Sequence, residues 1–318
     1  MIHPRNLVLG VLVIAVVGVR MLLRAPALEE LVDAPLLPRV SRDNVARVLV
    51  EHTPEGGELQ RVSVVRRGEG WIVSELQDFP AQAWLVEQLI DRVGALRTTS
   101  QVAREASSWE ELGVGEDALR LRFEDESGVP VASLRLGRPV QSQASAERVP
   151  HLRLEGRDAV YRAPGVPWVE PEPARWMRTA LFELTPESVT GLGLVSAVAQ
   201  VEPWRAEYAR GESGAWTSDS GARAPRTAMR RLVDQLCGLQ AARLESEPGE
   251  LRQGEWTELT LRGLNERAEA LVIGPPLPDG GRLAARASWL ADRRPWRVRL
   301  DAALGEELVA RARELVNP

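Results

Sequence analysis

The chain has 318 residues, 44% of them apolar, which is enough to bury a full core and suits two domains better than a single one or a disordered segment. All 40 basic residues are arginine, and 45 acidic residues leave a net charge of -5; the arginines are scattered, which argues against the clustered basic footprint that a nucleic-acid partner needs. One cysteine, Cys237, excludes an intrachain disulfide and a cysteine-based zinc site, and the histidines His3, His52 and His151 are too dispersed in sequence for a metal cluster.

Leu7 to Val19 carries no charge, and Met21 to Leu23 extends the apolar run to seventeen residues across Arg20. Seventeen helical residues cover about 25 Å, near the lower limit for a bilayer core. Arg20 lies within a turn of the far end, where a long side chain reaches the headgroups. Residues 1–27 therefore read as an uncleaved transmembrane signal-anchor. A cleaved signal peptide is the competing reading, because Ala25-Pro26-Ala27 matches a small-x-small site, although Arg20 and Arg24 put charge where a cleavage region is normally neutral. Orientation does not follow from charge, since Arg5 on one side faces Arg20 and Arg24 on the other. Residues 28–44, with Pro35, Pro38 and mixed charge, read as a tether.

Beyond the tether the chain repeats at a spacing of about 140 residues. Strand-like runs at 45–50 and 60–65 lead to Gly70-Trp71-Ile72-Val73; runs at 197–201 and 205–209 lead to Ala215-Trp216-Thr217-Ser218. After each tryptophan the pattern predicts an amphipathic helix opened by a proline, Pro80 in one copy and Pro225 in the other. Val86, Leu89, Ile90, Val93 and Leu96 match Met229, Leu232, Val233, Leu236 and Leu239 at a constant offset of 143, each set on one helical face. Alternating runs follow at 119–123, 131–136, 151–154 and 159–162, mirrored at 259–261, 270–273, 282–286 and 296–300. The first two of these runs end in an apolar-Gly-x-Pro corner in each copy, Leu136-Gly137-Arg138-Pro139 and Ile273-Gly274-Pro275-Pro276. A last helix is predicted over 302–316.

The expected fold class is α+β: an N-terminal transmembrane helix followed by two tandem modules, each an antiparallel or mixed sheet covered by one main helix. The expected organisation is 1–27 signal-anchor, 28–44 tether, 45–165 first module, 166–194 linker and 195–318 second module.

Chemistry-bearing patterns are sparse. Without lysine no phosphate-binding P-loop can form, Gly191-x-Gly193 lacks the third glycine of a dinucleotide loop, and no Gly-x-Ser-x-Gly or His-Glu-x-x-His occurs. The acidic runs Glu110-Glu111, Glu124-Asp125-Glu126 and Glu306-Glu307 read as solvated turns or helix faces, because adjacent side chains point apart. Asp279-Gly280-Gly281 reads as a hairpin turn. No catalytic, cofactor or metal residues are assigned, and Cys237, on the apolar side of its helix, reads as a small buried hydrophobe. Ten tryptophans against two tyrosines and three phenylalanines are unusual. Trp71 and Trp216 repeat and read as core anchors, whereas Trp168, Trp176, Trp204, Trp289 and Trp296 are the candidate partner-binding residues, with interdomain packing as the competing role.

The short apolar N-terminal helix, Gly-x-Trp, the helix after Pro80, Trp109-Glu110-Glu111-Leu112-Gly113, the strand ending in Leu136-Gly137 and the joint at 175–184 together resemble the domain-of-unknown-function family numbered 4340. The chain departs from that family at 109–113, where the family commonly has aromatic-Gly-Leu followed by Pro. The resemblance implies a bacterial inner-membrane protein with its bulk on the periplasmic side. It further implies partnership with the ATPase and permease subunits of ABC transporters of the kind linked to gliding motility and to polysaccharide or auxiliary transport, and it supplies no catalytic residue. The leading expectation is a non-enzymatic, membrane-anchored accessory subunit without a cofactor. The alternative is a stand-alone envelope protein that binds carbohydrate or peptide, and a hydrolase using paired carboxylates is the third.

Overall fold

A computed structural model describes residues 33–316 except 55–56, 142–147, 199–200, 246–250, 252–254, 265–266, 292–293 and 295. The anchor expected over 1–27 lies outside the described residues. In chain order the first strands are β1 (Arg47–His52), β2 (Gln60–Arg67), β3 (Gly70–Val73) and β4 (Phe79–Pro80), followed by the helix α1 (Ala83–Gly94). Next come β5 (Gln101–Ala103), β6 (Leu119–Glu124), β7 (Pro130–Leu136), β8 (Val140–Gln141), β9 (Arg148–Val149), β10 (His151–Leu154) and β11 (Val160–Arg162). The later elements are β12 (Val189–Val198), β13 (Val201–Arg210), β14 (Trp216–Ser218), α2 (Arg226–Cys237), β15 (Arg243–Glu245), β16 (Trp256–Gly263), β17 (Ala268–Pro276), β18 (Arg282–Arg286), α3 (Ala287–Ala291), β19 (Arg297–Leu300) and α4 (Ala302–Val316).

The strands form a nine-stranded sheet in the order β4-β3-β2-β1-β6-β7-β10-β11-β5, an eight-stranded sheet in the order β14-β13-β12-β16-β17-β18-β19-β15, and a separate β8-β9 pair. With β4 set aside the two large sheets share one strand order: in each, a three-strand meander precedes the helix, and the first strand after the helix forms the far edge. Adjacent strands pair antiparallel, as at Val48↔Phe123 and Leu194↔Leu259.

This corrects the expected fold class. The body is strand-dominated, with antiparallel sheets of nine and eight strands in place of two α+β modules each built of an antiparallel or mixed sheet under one main helix, and among the described residues no helix is long and apolar enough to cross a membrane. The physical reason is that β4, β5 and β15 hold only two or three residues, too few to show a period, yet each adds a strand at the edge of its sheet. Pro80 does not open a helix either. It lies in the edge strand β4, where its missing N–H is tolerated, and α1 starts at Ala83, whereas Pro225 does cap α2.

The chain divides into two compact units, one of residues up to Ser63 with Trp84–Pro171, the other of Val64–Ala83 with Glu172–Pro318. In the first unit the period-two pattern buries Leu119, Leu121 and Phe123 of β6 and leaves Arg120 and Arg122 half-exposed. Val86, Leu89, Ile90 and Val93 of α1 are buried, as the 3.6-residue period requires. The segment read as a tether is built into this unit from residue 34 onward. Leu36 and Val40 are buried, the Leu36 N–H donates to the Leu96 carbonyl at 2.8 Å, and Arg42 bonds Asp91 at 2.9 Å and also Glu87. Glu124, read as a solvated turn residue, is buried and paired with Arg122 at 2.9 Å and Arg47 at 3.1 Å.

The second unit has its own core, in which Met229, Leu232, Val233 and Leu236 of α2 join Leu192, Leu194, Leu259, Leu261, Leu271 and Ile273. Residues 64–83 contribute to it through Phe79, which meets Trp289 and Trp296 edge-on, each at 5.4 Å between ring centroids, while the two indoles stand 5.8 Å apart at 89°. The corner before Phe79 places Gln77 and Asp78 both at positive φ, and the Trp296 indole N–H donates to the Gln77 carbonyl at 2.8 Å. Cys237 is half-buried, and burial pushes its thiol up to about 11, as expected of a packing cysteine and not of a nucleophile.

Candidate binding site

The most chemically distinctive place in the first unit is the loop that carries Trp109-Glu110-Glu111-Leu112-Gly113 into β6. Its backbone is closed by short-range bonds: Leu112 N–H to Ser108 O at 3.0 Å, Gly113 N–H to Glu110 O at 3.1 Å and Val114 N–H to Trp109 O at 2.8 Å. Gly113 has φ +66, a conformation that a side chain disfavours. Gly137, the glycine of the Leu-Gly corner, packs against this loop. A Cβ there would lie 2.8 Å from the Gly113 carbonyl oxygen and 3.0 Å from that of Leu112, which gives both sequence motifs a common structural cause.

Two arginines clamp the loop from the neighbouring strands. Arg153 of β10 is buried, lies 3.6 Å over the Trp109 ring, and donates from Nε to the Val114 carbonyl at 3.2 Å. The Trp109 indole is itself held by the Asp158 carbonyl at 3.0 Å. Arg135 of β7 donates to the carbonyls of Gly115 at 3.1 Å and Glu116 at 2.7 Å. Burial, and then Arg135, push the Arg153 guanidinium below its ordinary value.

Both clamping guanidiniums are thus directed at carbonyls, and the loop's carboxylates are left over. Glu110 folds back over Gly115, where a Cβ would fall on its carboxylate oxygens, and Asp117 stands one turn further on. Among the described residues neither side chain makes a hydrogen bond or ion pair, and the same holds for Arg138. By contrast Glu124 is paired with arginines, and buried Glu269 in the second unit is paired with Arg267 at 2.6 Å and accepts the Glu183 N–H at 2.7 Å. Glu110, Asp117, Arg138, His52 and Trp168 line a cleft of about 360 Å³.

Of the five candidate tryptophans, Trp168 alone lines this cleft. Trp176 is fully buried, Trp289 and Trp296 are buried in the aromatic cluster with Phe79, and Trp204 packs half-buried on the second core. Burial leaves Trp176, Trp289 and Trp296 little ring surface for a partner. Sequence reasoning assigned none of Glu110, Asp117, Arg138 and His52 to a site and read Glu110 as a solvated turn; the four come from three separate stretches. The Leu136-Gly137-Arg138 and Trp109-Glu110 motifs held the only signal, and nothing in either shows that they touch. A large exposed aromatic was also missed: Trp84, in the first turn of α1, is 63% exposed.

His151, at the start of β10, is half-buried beside Arg162 and is pushed below its ordinary pKa, first by burial and then by that arginine. A histidine whose folded pKa is depressed binds its proton more readily when unfolded, so stability is expected to fall as pH drops below about 6.5. Urea titrations at pH 7.5 and 5.5 should show a smaller acid loss in His151→Gln than in the parent. Equal losses would mean that His151 is solvated in the folded protein.

These features define a strand-dominated protein of two antiparallel sheets with a polar, aromatic-lined cleft in its first unit. The chain belongs to the family described as Domain of unknown function (DUF4340), which matches residues 71–280. No curated protein and no solved structure matches it.

Proposed function

We propose that the protein is a non-enzymatic accessory subunit, membrane-anchored with its body on the extracytoplasmic side of a bacterial inner membrane, that docks on the ATPase and permease assembly of an ABC-type transporter. The observation that carries the docking role is Trp84. A tryptophan exposed in the first turn of a helix is rare on a surface that meets only water, and tryptophan is among the residues most enriched at binding hot spots. It sits over a groove with Arg42, Glu87 and Asp91, whose mutual ion pairs fix the surroundings of the ring. The apolar run at 7–23 supports the anchor.

The test is affinity capture of the full chain from carbonate-washed native membranes followed by mass spectrometry. Transporter ATPase and permease subunits should be recovered with the parent, and Trp84→Ala should lower their recovery at least tenfold, since a hot-spot tryptophan contributes about 2 kcal/mol or more. Recovery of no transporter subunit would overturn the reading.

We further infer that the two sheets arose as tandem copies of one unit. The shared strand order and the constant offset of 143 between the buried residues of α1 and α2 support this. Superposition of β1–β3, α1, β6 and β7 on β12–β14, α2, β16 and β17 tests it, and a fit no better than that of unrelated sheets would end it.

A further inference from the structure

We propose that the cleft formed by His52, Glu110, Asp117, Arg138 and Trp168 binds a neutral carbohydrate, one or two sugar rings of a longer glycan. This goes beyond the docking role, which rests on different residues, so each can fail alone.

The ligand class follows from what the cleft offers. Sugar hydroxyls both donate and accept hydrogen bonds. The cleft presents acceptors in the Glu110 and Asp117 carboxylates, a donor in the Arg138 guanidinium, and an imidazole in His52 that can do either. Trp168 adds indole surface, on which the C–H face of a pyranose can lie. The first three side chains make no internal bond among the described residues, so a ligand need not break any to engage them. About 360 Å³ is within the usual range of small-ligand sites.

Charge narrows the choice further. Two carboxylates against one guanidinium disfavour acidic sugars, whose own carboxylates would be repelled at short range. Topology disfavours a peptide recognised through its backbone: the strands that reach the cleft are β1 at His52 and β6 at Leu119, and each has strands on both sides, so neither offers a free edge for an added strand.

Rigidity favours a binding site over an incidental hollow. Arg135 and Arg153 hold the carbonyls of Val114, Gly115 and Glu116, and Gly115 seats the Glu110 carboxylate over the loop backbone. The loop backbone that carries Glu110 and Asp117 is therefore in place before a ligand arrives, which removes part of the ordering cost from binding.

The experiment is a glycan array of neutral, amino and acidic oligosaccharides probed with the labelled full-length chain, followed by calorimetry on the strongest neutral binder. The parent should bind neutral glycans in preference to acidic ones. Glu110→Gln, Asp117→Asn and Trp168→Ala should each weaken binding at least tenfold without changing the melting temperature. Glu110 and Asp117 are exposed, so their variants carry the test should Trp168→Ala unfold. Gly115→Ala, which displaces the Glu110 carboxylate, should weaken binding to a similar degree. Absence of binding to every glycan, preference for acidic glycans, or affinity unchanged in Glu110→Gln and Asp117→Asn would each overturn the proposal.

Discussion

Replacing Phe79 by alanine is expected to lower the unfolding free energy by about 4 kcal/mol, the usual loss for truncating a fully buried phenylalanine. The ring is 1% exposed and touches both indoles of the cluster edge-on, so the substitution removes two aromatic contacts and leaves Trp289 and Trp296 facing a cavity. Urea denaturation followed by tryptophan fluorescence reads the effect directly, because the reporters line the damaged site. A loss below about 1 kcal/mol would mean that Phe79 is not seated between the indoles.

The same geometry predicts how the chain can be cut. A fragment spanning 172–318 keeps Trp289 and Trp296 but lacks residues 64–83, and with them Phe79 and the Gln77 carbonyl that accepts the Trp296 indole N–H. It is expected to lack a cooperative unfolding transition, because a buried aromatic patch is uncovered and an indole N–H loses its partner.

Gly94→Ala is the second large effect, and here two principles oppose each other. Helix propensity favours alanine over glycine by about 1 kcal/mol. Against that, a Cβ on Gly94 would penetrate the carbonyl oxygen of Val40 and approach the Val40 carbonyl carbon to 3.3 Å. The obstruction is backbone, which cannot rotate away, so the clash should prevail and destabilise by about 3 kcal/mol. Gly70→Ala, whose Cβ would meet nothing closer than 3.9 Å, is the control and should change stability by less than about 1 kcal/mol. A neutral Gly94→Ala would show that the segment through Leu36 and Val40 does not lie against the end of α1.

Much of the local structure was legible because it follows from periods shorter than a single element. The buried faces of α1 and α2 were readable from apolar spacing alone, β10 and β18 coincide with the alternating runs at 151–154 and 282–286, and α4 occupies the expected 302–316. The close backbone approach at Gly137 was readable from its glycine, whereas the corner expected at Gly274 is not a turn: β17 runs through it to Pro276, with a register shift between Ile273 and Pro276. The cleft was not readable. Glu110, Asp117, Arg138 and His52 look in sequence like ordinary surface residues, and what distinguishes Glu110 and Asp117 is that Arg135 and Arg153 bond backbone carbonyls and not those carboxylates.

By itself the sequence determined which residues turn inward, because side-chain direction alternates with the local backbone, and it determined family membership through short motifs. Only the tertiary structure decided that the sheets reach nine and eight strands, that residues 34–42 belong to the first unit, and that 64–83 help to build the second. The physical reason is range: three-residue strands carry no period, and the Trp296–Gln77 bond joins residues 219 positions apart, a separation at which no local pattern constrains pairing.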